Sequence, residues 1–575
     1  MPEPIPFRSA QPRGTDASPS VGAPETPGRW AGRTLPATRL ETHYGDRVVR
    51  CYAERPRSVW AMFAEALGAR PEAQALVVGE SRWTYAEAAG RIRALAAGLA
   101  GRGIRGGDRV VLFLSNRPEF YFAYFACQYL GAIAVPVSTR EQRAGVDYVL
   151  GQCGASAIIH DEHLSVQVPD RPDVLRVWCP SAATGGAANE APAADAVPIA
   201  TLVEDAGAAP EPAGVDEEDT ATLLYTSGTT GKPKGAMLTH LGIVHSSMNL
   251  RACLELDQDT RSMLAVPASH VTGLVAIITT TVHCGGAVVM MPEFKAADFL
   301  ALAARERITF TVLVPAMYTL CLMQPDFDRH DLSAWRIGAY GGAPMAVATI
   351  DELARRLPGM RLANAYGATE TTSPTTIMPP EATRDHADSV GLVVPNGAVA
   401  VLDDEGREVA PGETGELWIS GPMVVRGYWD NPEADAREFS GGWWHSGDLG
   451  SVDAEGFVRV FDRKKDMINR GGYKIFSVEV ENRLLARPGV VEAAVIGAPC
   501  PVLGERVHAF VVCSDPALDE AALRAWCAEA LADYKVPETI RFSDEPLPRN
   551  PNGKVLKRLL RERLLAVIAT ETGPR

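Results

Sequence analysis

Tyr225-Thr226-Ser227-Gly228-Thr229-Thr230-Gly231-Lys232-Pro233-Lys234-Gly235 concentrates more anion-binding chemistry than any other part of this 575-residue sequence. Glycines leave backbone N–H groups unobstructed, Ser and Thr add hydroxyl donors, and two lysines add charge; phosphate is the ligand that suits all three. Ala221, Leu223 and Leu224 just ahead predict a strand running into a turn. A Walker A loop places Ser or Thr directly after Gly-Lys, and here Pro233 follows Gly231-Lys232, so this loop is of another kind. A plain Gly/Ser/Thr surface turn has the same composition. The neighbouring sequence has to separate the two.

Working outward, strand and helix patterns alternate on both sides. Asp108–Ser115 is a short continuous apolar run, Glu119–Leu130 is an apolar helix, and Ala132–Val137 is a second strand candidate, which together predict a parallel α/β sheet. Folded structure is expected from about Val59, and residues 1–45, rich in Pro, Gly, Ser and Arg, are expected to be a disordered leader. Residues 180–218, rich in Ala, Pro and Gly, read as a flexible insertion. Downstream, Ser262–Val266, Ala287–Met291, Thr309–Val314 and Arg336–Tyr340 are further strand candidates, whereas Gly415–Ser420 and Gly456–Phe461 alternate as antiparallel strands do. From Arg463 the pattern restarts, with strands at Val490–Ile496 and His508–Cys513 and helices at Glu520–Leu531 and Val555–Ile568. The expected organisation is a large domain over 46–462 and a small α+β domain over 463–575.

Composition narrows the function. The formal charge of −15 argues against a nucleic-acid-binding protein. Ten scattered cysteines include no Cys-x-x-Cys pair, which excludes a zinc knuckle and a disulfide framework and fits a reducing cytoplasm. The most apolar stretch, Leu274–Met291, is interrupted by Thr279, Thr280, Thr281 and His283, so no transmembrane segment is expected. There is no Gly-x-Ser-x-Gly elbow, no His-Glu-x-x-His and no dinucleotide-binding glycine pattern after a strand.

Five further motifs carry chemistry. Asn364-Ala365-Tyr366-Gly367-Ala368-Thr369-Glu370 offers a ring that can lie on a purine and a carboxylate suited to Mg²⁺, which prefers hard oxygen ligands. Gly341-Gly342-Ala343-Pro344 gives a backbone that a planar base can approach. Trp444-His445-Ser446-Gly447-Asp448-Leu449 sets a carboxylate where it could chelate a ribose diol, and Arg463-Lys464-Lys465-Asp466 lies between the two folding patterns as a hinge would. Pro548–Lys554 places Lys554 on a Pro/Asn/Gly turn, where one ammonium could be delivered to a phosphoryl centre.

Together, in this order and spacing, these residues resemble the adenylate-forming superfamily of acyl-CoA synthetases, peptide-synthetase adenylation domains and firefly-type luciferases, over residues 55–565. The resemblance implies a large N-terminal domain of parallel and mixed sheets with a distorted β-barrel subdomain, and a small α+β C-terminal lid. It implies two half-reactions: a carboxylate attacks the α-phosphate of Mg·ATP, then a thiol, usually that of CoA, displaces AMP. Carried over by position, Thr226, Ser227, Gly228, Thr229, Thr230, Gly231 and Lys232 would cradle the pyrophosphate end, and Thr226 and Glu370 would hold Mg²⁺. Tyr366, Gly367 and Thr369, with Gly342 and Ala343, would surround the adenine end; Asp448 and Arg463 would bind the ribose. Lys554 would bridge the carboxylate and the α-phosphate, Lys465 falls at the hinge, and Gly472 would line the pantetheine tunnel. In Pro267-Ala268-Ser269-His270-Val271-Thr272-Gly273, His270 would border the acyl carboxylate, although Ser269 replaces the family's usual aromatic residue. Asp462 likewise replaces a usual Gly, and Ser446 a usual Thr.

The implied reaction is that of an AMP-forming carboxylic acid–CoA ligase, with a fatty acid as first choice of substrate and an aryl or cyclic acid as second. An amino-acid adenylation enzyme is disfavoured because the Pro267–Gly273 box lacks the Asp that would hold an α-ammonium. A luciferase-like oxygenase fits the Ala/Arg-rich composition poorly, and a nucleotide-binding regulator without catalysis is at odds with every expected catalytic position being filled. An acyl carrier protein as thiol donor and a homo-oligomer stay open.

Overall fold

The computed structural model describes residues 30–181, 196–204, 207–227, 232–549 and 555–571. Two large sheets share one core. The first runs in the order Pro233–Thr239, Thr220–Ser227, Ile133–Pro136, Arg109–Phe113, Ala157–Asp161, Leu175–Cys179, Val197–Pro198, and is parallel except for its hairpin edge at Pro233–Thr239. The second places Gln74–Val78, Ala287–Met290, Arg261–Leu264, Phe310–Leu313, Ile337–Tyr340 and Arg361–Tyr366 side by side in parallel. Beyond Arg361–Tyr366 it continues through antiparallel strands that include Gly391–Val393, Phe457–Arg463, Trp443–Val452, Gly415–Ser420 and Ala398–Leu402, packed on a small core of Val393, Val401, Leu417 and Val458. Helices Pro118–Leu130 and His240–Leu254 are buried on nearly every face and tie the two sheets together. That explains why Glu119–Leu130 reads as apolar without a polar stripe.

The C-terminal unit is a five-stranded sheet built from Ile468–Arg470, Tyr473–Ile475, Val490–Cys500, Gly504–Cys513 and Thr539–Phe542. Period-two alternation divides its side chains. Val495, Val507, Ala509 and Val511 pack against helices Ser477–Leu485 and Glu520–Ala528, while Ala494, Ile496 and Phe510 pack under helix Lys557–Glu571.

Two expectations need correction. The leader does not extend to residue 45: Thr38–His43 and Arg47–Tyr52 form an antiparallel hairpin, and Trp30 is buried with its indole N–H donating to Val393 O at 2.8 Å. Glu41 and Glu217 clamp the buried Arg55 guanidinium, so charge pairing fixes a segment whose composition looks unstructured. The insertion at 180–218 is also partly folded. Val197–Pro198 adds the last strand of the first sheet, and Leu202, on helix Ile199–Glu204, packs so tightly on helix Tyr85–Gly101 that a Cβ at Gly98 would meet Leu202 O at 2.1 Å. Among the described residues no helix is long and apolar enough to cross a membrane.

Candidate active site

The described ends of the eleven-residue motif lie on two neighbouring strands. Thr220–Ser227 and Pro233–Thr239 pair antiparallel, with Tyr225 opposite Gly235, Thr226 opposite Lys234 and Ser227 opposite Pro233. The Tyr225 ring lies over Gly235, where a Cβ would stand 3.2 Å from a ring carbon. Gly228, Thr229, Thr230, Gly231 and Lys554 lie outside the described residues. Lys232 is described and exposed.

Thr226 is carried to the end of its parallel strand, where it meets Glu370: Thr226 Oγ1 donates to Glu370 Oε1 at 3.2 Å. Glu370 lies just beyond strand Arg361–Tyr366 of the other sheet, on a single 3₁₀ turn at Thr369–Thr371. The carboxyl ends of parallel strands from both sheets therefore converge, as ligand sites in α/β sheets require. A hydroxyl beside a carboxylate, both at an open strand end, is a fitting pair of oxygen ligands for Mg²⁺.

A second polar group sits on the same edge. Asp448 and Arg463 are opposite each other on paired antiparallel strands, and Arg463 Nε meets Asp448 Oδ1 at 2.7 Å. The Tyr366 hydroxyl donates to Asp448 Oδ2 at 2.6 Å. Ser446 Oγ accepts from the Asp448 N–H at 3.0 Å, fixing the carboxylate direction, and the intervening Gly447 has φ of +67°. Burial, and then the adjacent Asp448 charge, hold the Tyr366 hydroxyl protonated far above its ordinary range. A carboxylate offers about four lone-pair sites. Two are used here, which leaves acceptors for a diol.

Gly341 and Gly342 follow strand Ile337–Tyr340 at this edge. Gly341 passes so close to the neighbouring strand that a Cβ would lie 2.4 Å from Ala365 O, and Gly342 has φ of +79°. Ala343 is exposed beside them, and Gly367 and Thr369 flank Tyr366 and Glu370. His270 stands apart, in the segment before the wide helical turn Thr272–Thr279. His270 Nδ1 lies 3.2 Å from Thr272 Oγ1 and 3.4 Å from the Thr272 backbone nitrogen, and burial lowers the imidazole pKa below its ordinary value. Lys465 lies in an exposed turn after Arg463. Gly472, with φ of +92°, forms the exposed tip of the hairpin Ile468–Ile475.

The structure adds residues that the sequence did not single out. Asn116 accepts from Ala268 N–H at 2.8 Å and donates to Val266 O and Met291 O, pinning the segment that carries His270. Tyr428 OH lies 3.0 Å from Glu370 Oε1. Asp462 is not a neutral replacement for glycine: its buried carboxylate accepts from Ser477 N–H and Ser477 Oγ–H at 2.5 and 2.7 Å, fastening the start of helix Ser477–Leu485 to the strand that carries Arg463. A polar Asp/Ser-Gly composition gave no signal for any of these contacts, because each partner is distant in sequence.

Comparison with known proteins gives the family. A family model described as AMP-binding enzyme matches residues 63–429, and its C-terminal domain model matches residues 479–554. The chain belongs to the AMP-binding enzyme family. This AMP-binding enzyme is 36% identical to a feruloyl-CoA synthase from Amycolatopsis sp., over 86% of its own length and 96% of that protein's. It is 32% identical to a long-chain-fatty-acid–CoA ligase from Mycobacterium tuberculosis (strain ATCC 25618 / H37Rv), covering 85% and 94% of the two chains. Among solved structures it resembles o-succinylbenzoate CoA synthetase from Bacillus subtilis in complex with ATP and magnesium ion, at a TM-score of 0.77 and 29% identity over 88% of this chain and 99% of that one.

Proposed function

We infer that this AMP-binding enzyme activates a carboxylic acid with an apolar body, fatty or aryl, and passes the acyl group to CoA in the cytoplasm. The chemistry is that of an AMP-forming acid–CoA ligase using ATP, Mg²⁺ and CoA. The observation that carries the residue assignment is the convergence of two carboxylates at one strand edge: Asp448 held between Tyr366 and Arg463, and Glu370 beside Thr226.

In this reading the hairpin Tyr225–Gly235 holds the phosphates through Thr226, Ser227, Gly228, Thr229, Thr230, Gly231 and Lys232. Gly342, Ala343, Tyr366, Gly367 and Thr369 enclose adenine, and Asp448 and Arg463 take the ribose. Mg²⁺ bound by Thr226 and Glu370 would neutralise phosphate charge. Two anions must meet for the carboxylate to reach the α-phosphate, so positioning and charge compensation supply most of the rate. Lys554 brings one more cation to that meeting from the lid of residues 463–575, which turns about Lys465 so that Gly472 can face the pantetheine arm. His270, its pKa lowered by burial, borders the acid's carboxylate. Val271 and Met317, both buried, and Val314, 41% exposed beside Gly342, support an apolar acyl pocket.

The test is pyrophosphate release from ATP across a panel of fatty acids of graded length and substituted aryl acids, with and without CoA. Release that depends on an added acid, with acyl-CoA formed when CoA is present, supports the assignment. ATP binding with no release for any acid in the panel contradicts it.

A further inference from the structure

We propose that Tyr428, backed by Glu438 and Lys234, is the positioning residue that aims the Glu370 carboxylate at Mg·ATP. This rests on Glu370 being the carboxylate that meets the metal, and it gives a task to Lys234, the lysine of the hairpin motif with no ligand assigned to it.

Five groups stand in a row. Lys234 Nζ lies 2.5 Å from Glu438 Oε2, that oxygen 2.6 Å from Tyr428 OH, the hydroxyl 3.0 Å from Glu370 Oε1, and that oxygen 3.2 Å from Thr226 Oγ1. Tyr428 is 1% exposed, Lys234 6% and Glu370 9%. A carboxylate accepts only, and a tyrosine hydroxyl has a single proton. Tyr428 can therefore serve Glu370 only to the extent that Glu438 is satisfied by others. Lys234 does this from one side, while standing 4.0 Å over the Tyr428 ring, and Arg437 does it from the other, at 2.7 Å from Glu438 Oε1. Burial alone would raise the Glu438 pKa, but the hydrogen bond from Lys234, with that from Arg437, holds it below its ordinary value.

The hydroxyl is fixed independently of Glu370. Residues 427–429 lie along strand Pro233–Thr239 through Met237 N–H to Gly427 O at 2.9 Å and Trp429 N–H to Gly235 O at 2.7 Å. The Tyr428 N–H is held by Asp435 Oδ1 at 2.7 Å. Gly427, with φ of +159°, has no room for a Cβ, which would meet the Asp435 carboxylate at 2.8 Å. A fixed donor beside a metal-binding carboxylate sets that carboxylate's direction before the metal arrives, and losing such a partner typically costs about 10–100-fold in metal affinity or activity.

The experiment is ATP binding by calorimetry, titrated from EDTA through rising Mg²⁺, for wild type, Glu370→Gln, Tyr428→Phe, Glu438→Gln and the Tyr428→Phe/Glu438→Gln double variant. Expected are an Mg²⁺-dependent gain in wild type that Glu370→Gln abolishes, and an apparent Mg²⁺ affinity about 10-fold weaker in Tyr428→Phe. ATP affinity in EDTA should stay within about twofold, and the double variant should be no worse than Tyr428→Phe alone. A wild-type Mg²⁺ response in Tyr428→Phe overturns the proposal, as does an equal loss of ATP binding with and without Mg²⁺. If Glu370→Gln itself keeps the full Mg²⁺ gain, the metal assignment beneath the proposal falls, and the two failures are told apart.

Discussion

Asp448 has both carboxylate oxygens in use before any ligand arrives, one by Arg463 and one by Tyr366. It is 5% exposed, so removing it strands the Arg463 guanidinium and the Tyr366 hydroxyl as well as the acceptor for a diol. Hydrogen bonds to charged groups are worth about 1.5–3 kcal/mol, or roughly 10–100-fold in affinity. Asp448→Ala is therefore expected to weaken ATP binding by about that factor in calorimetry, with the KM for the acid changed far less. A selective loss of acid affinity contradicts the ribose assignment. At this scale motifs were legible by residue type, and the fold brings Thr226 to Glu370 and Tyr366 to Asp448. Asn116, Tyr428, Glu438 and Lys234 escaped because their roles exist only through contacts between segments such as Lys234 with Glu438 and Ala268 with Asn116.

Elements buried on both faces were legible as apolar runs: Arg109–Phe113 and Phe310–Leu313 are both found inside the stretches read as strands. The N-terminal hairpin was not, because Thr38–His43 is held by charges and by a distant helix rather than by its own periodicity. His245, on helix His240–Leu254, donates from Nδ1 to Leu241 O at 2.8 Å and accepts the Tyr52 N–H on Nε2 at 3.1 Å, linking hairpin to core. Both nitrogens are used by the neutral ring. Burial pushes the His245 pKa down to about 3 and that of His240 to about 4, from an ordinary 6.5. The unfolded chain binds these protons as pH falls below 6.5 while the native helix refuses them, so stability drops as pH falls from 6.5 towards 4, by roughly 1.4 kcal/mol per pH unit per histidine. Urea titrations at pH 6.5 and 5 are expected to show a loss about 2 kcal/mol smaller in His245→Gln than in wild type. An unchanged difference would mean that His245 is not held neutral.

A large unit and a smaller one are joined at Arg463–Asp466, between strands Phe457–Arg463 and Ile468–Arg470. In the orientation described, Asp462 fastens Ser477, and Asp404 receives both Lys464 at 3.1 Å and Lys474 at 3.6 Å. Asp462→Ala leaves the Ser477 N–H and hydroxyl without their buried acceptor, and a stability loss of about 1–3 kcal/mol is expected in thermal or urea melts. No loss would show that the two units are held elsewhere. The lid account predicts that Lys554→Ala abolishes acid-dependent pyrophosphate release yet leaves conversion of a supplied acyl-adenylate to acyl-CoA largely intact, because the lysine serves only the first orientation. Equal loss of both steps contradicts it. The central claim, that the acid's own oxygen attacks the α-phosphate and AMP departs with it, is tested most directly by supplying an accepted acid with ¹⁸O in its carboxylate and CoA in excess. One labelled oxygen is expected in the phosphate of AMP and none in pyrophosphate. Unlabelled AMP, or label appearing in inorganic phosphate with ADP as the nucleotide product, would contradict it.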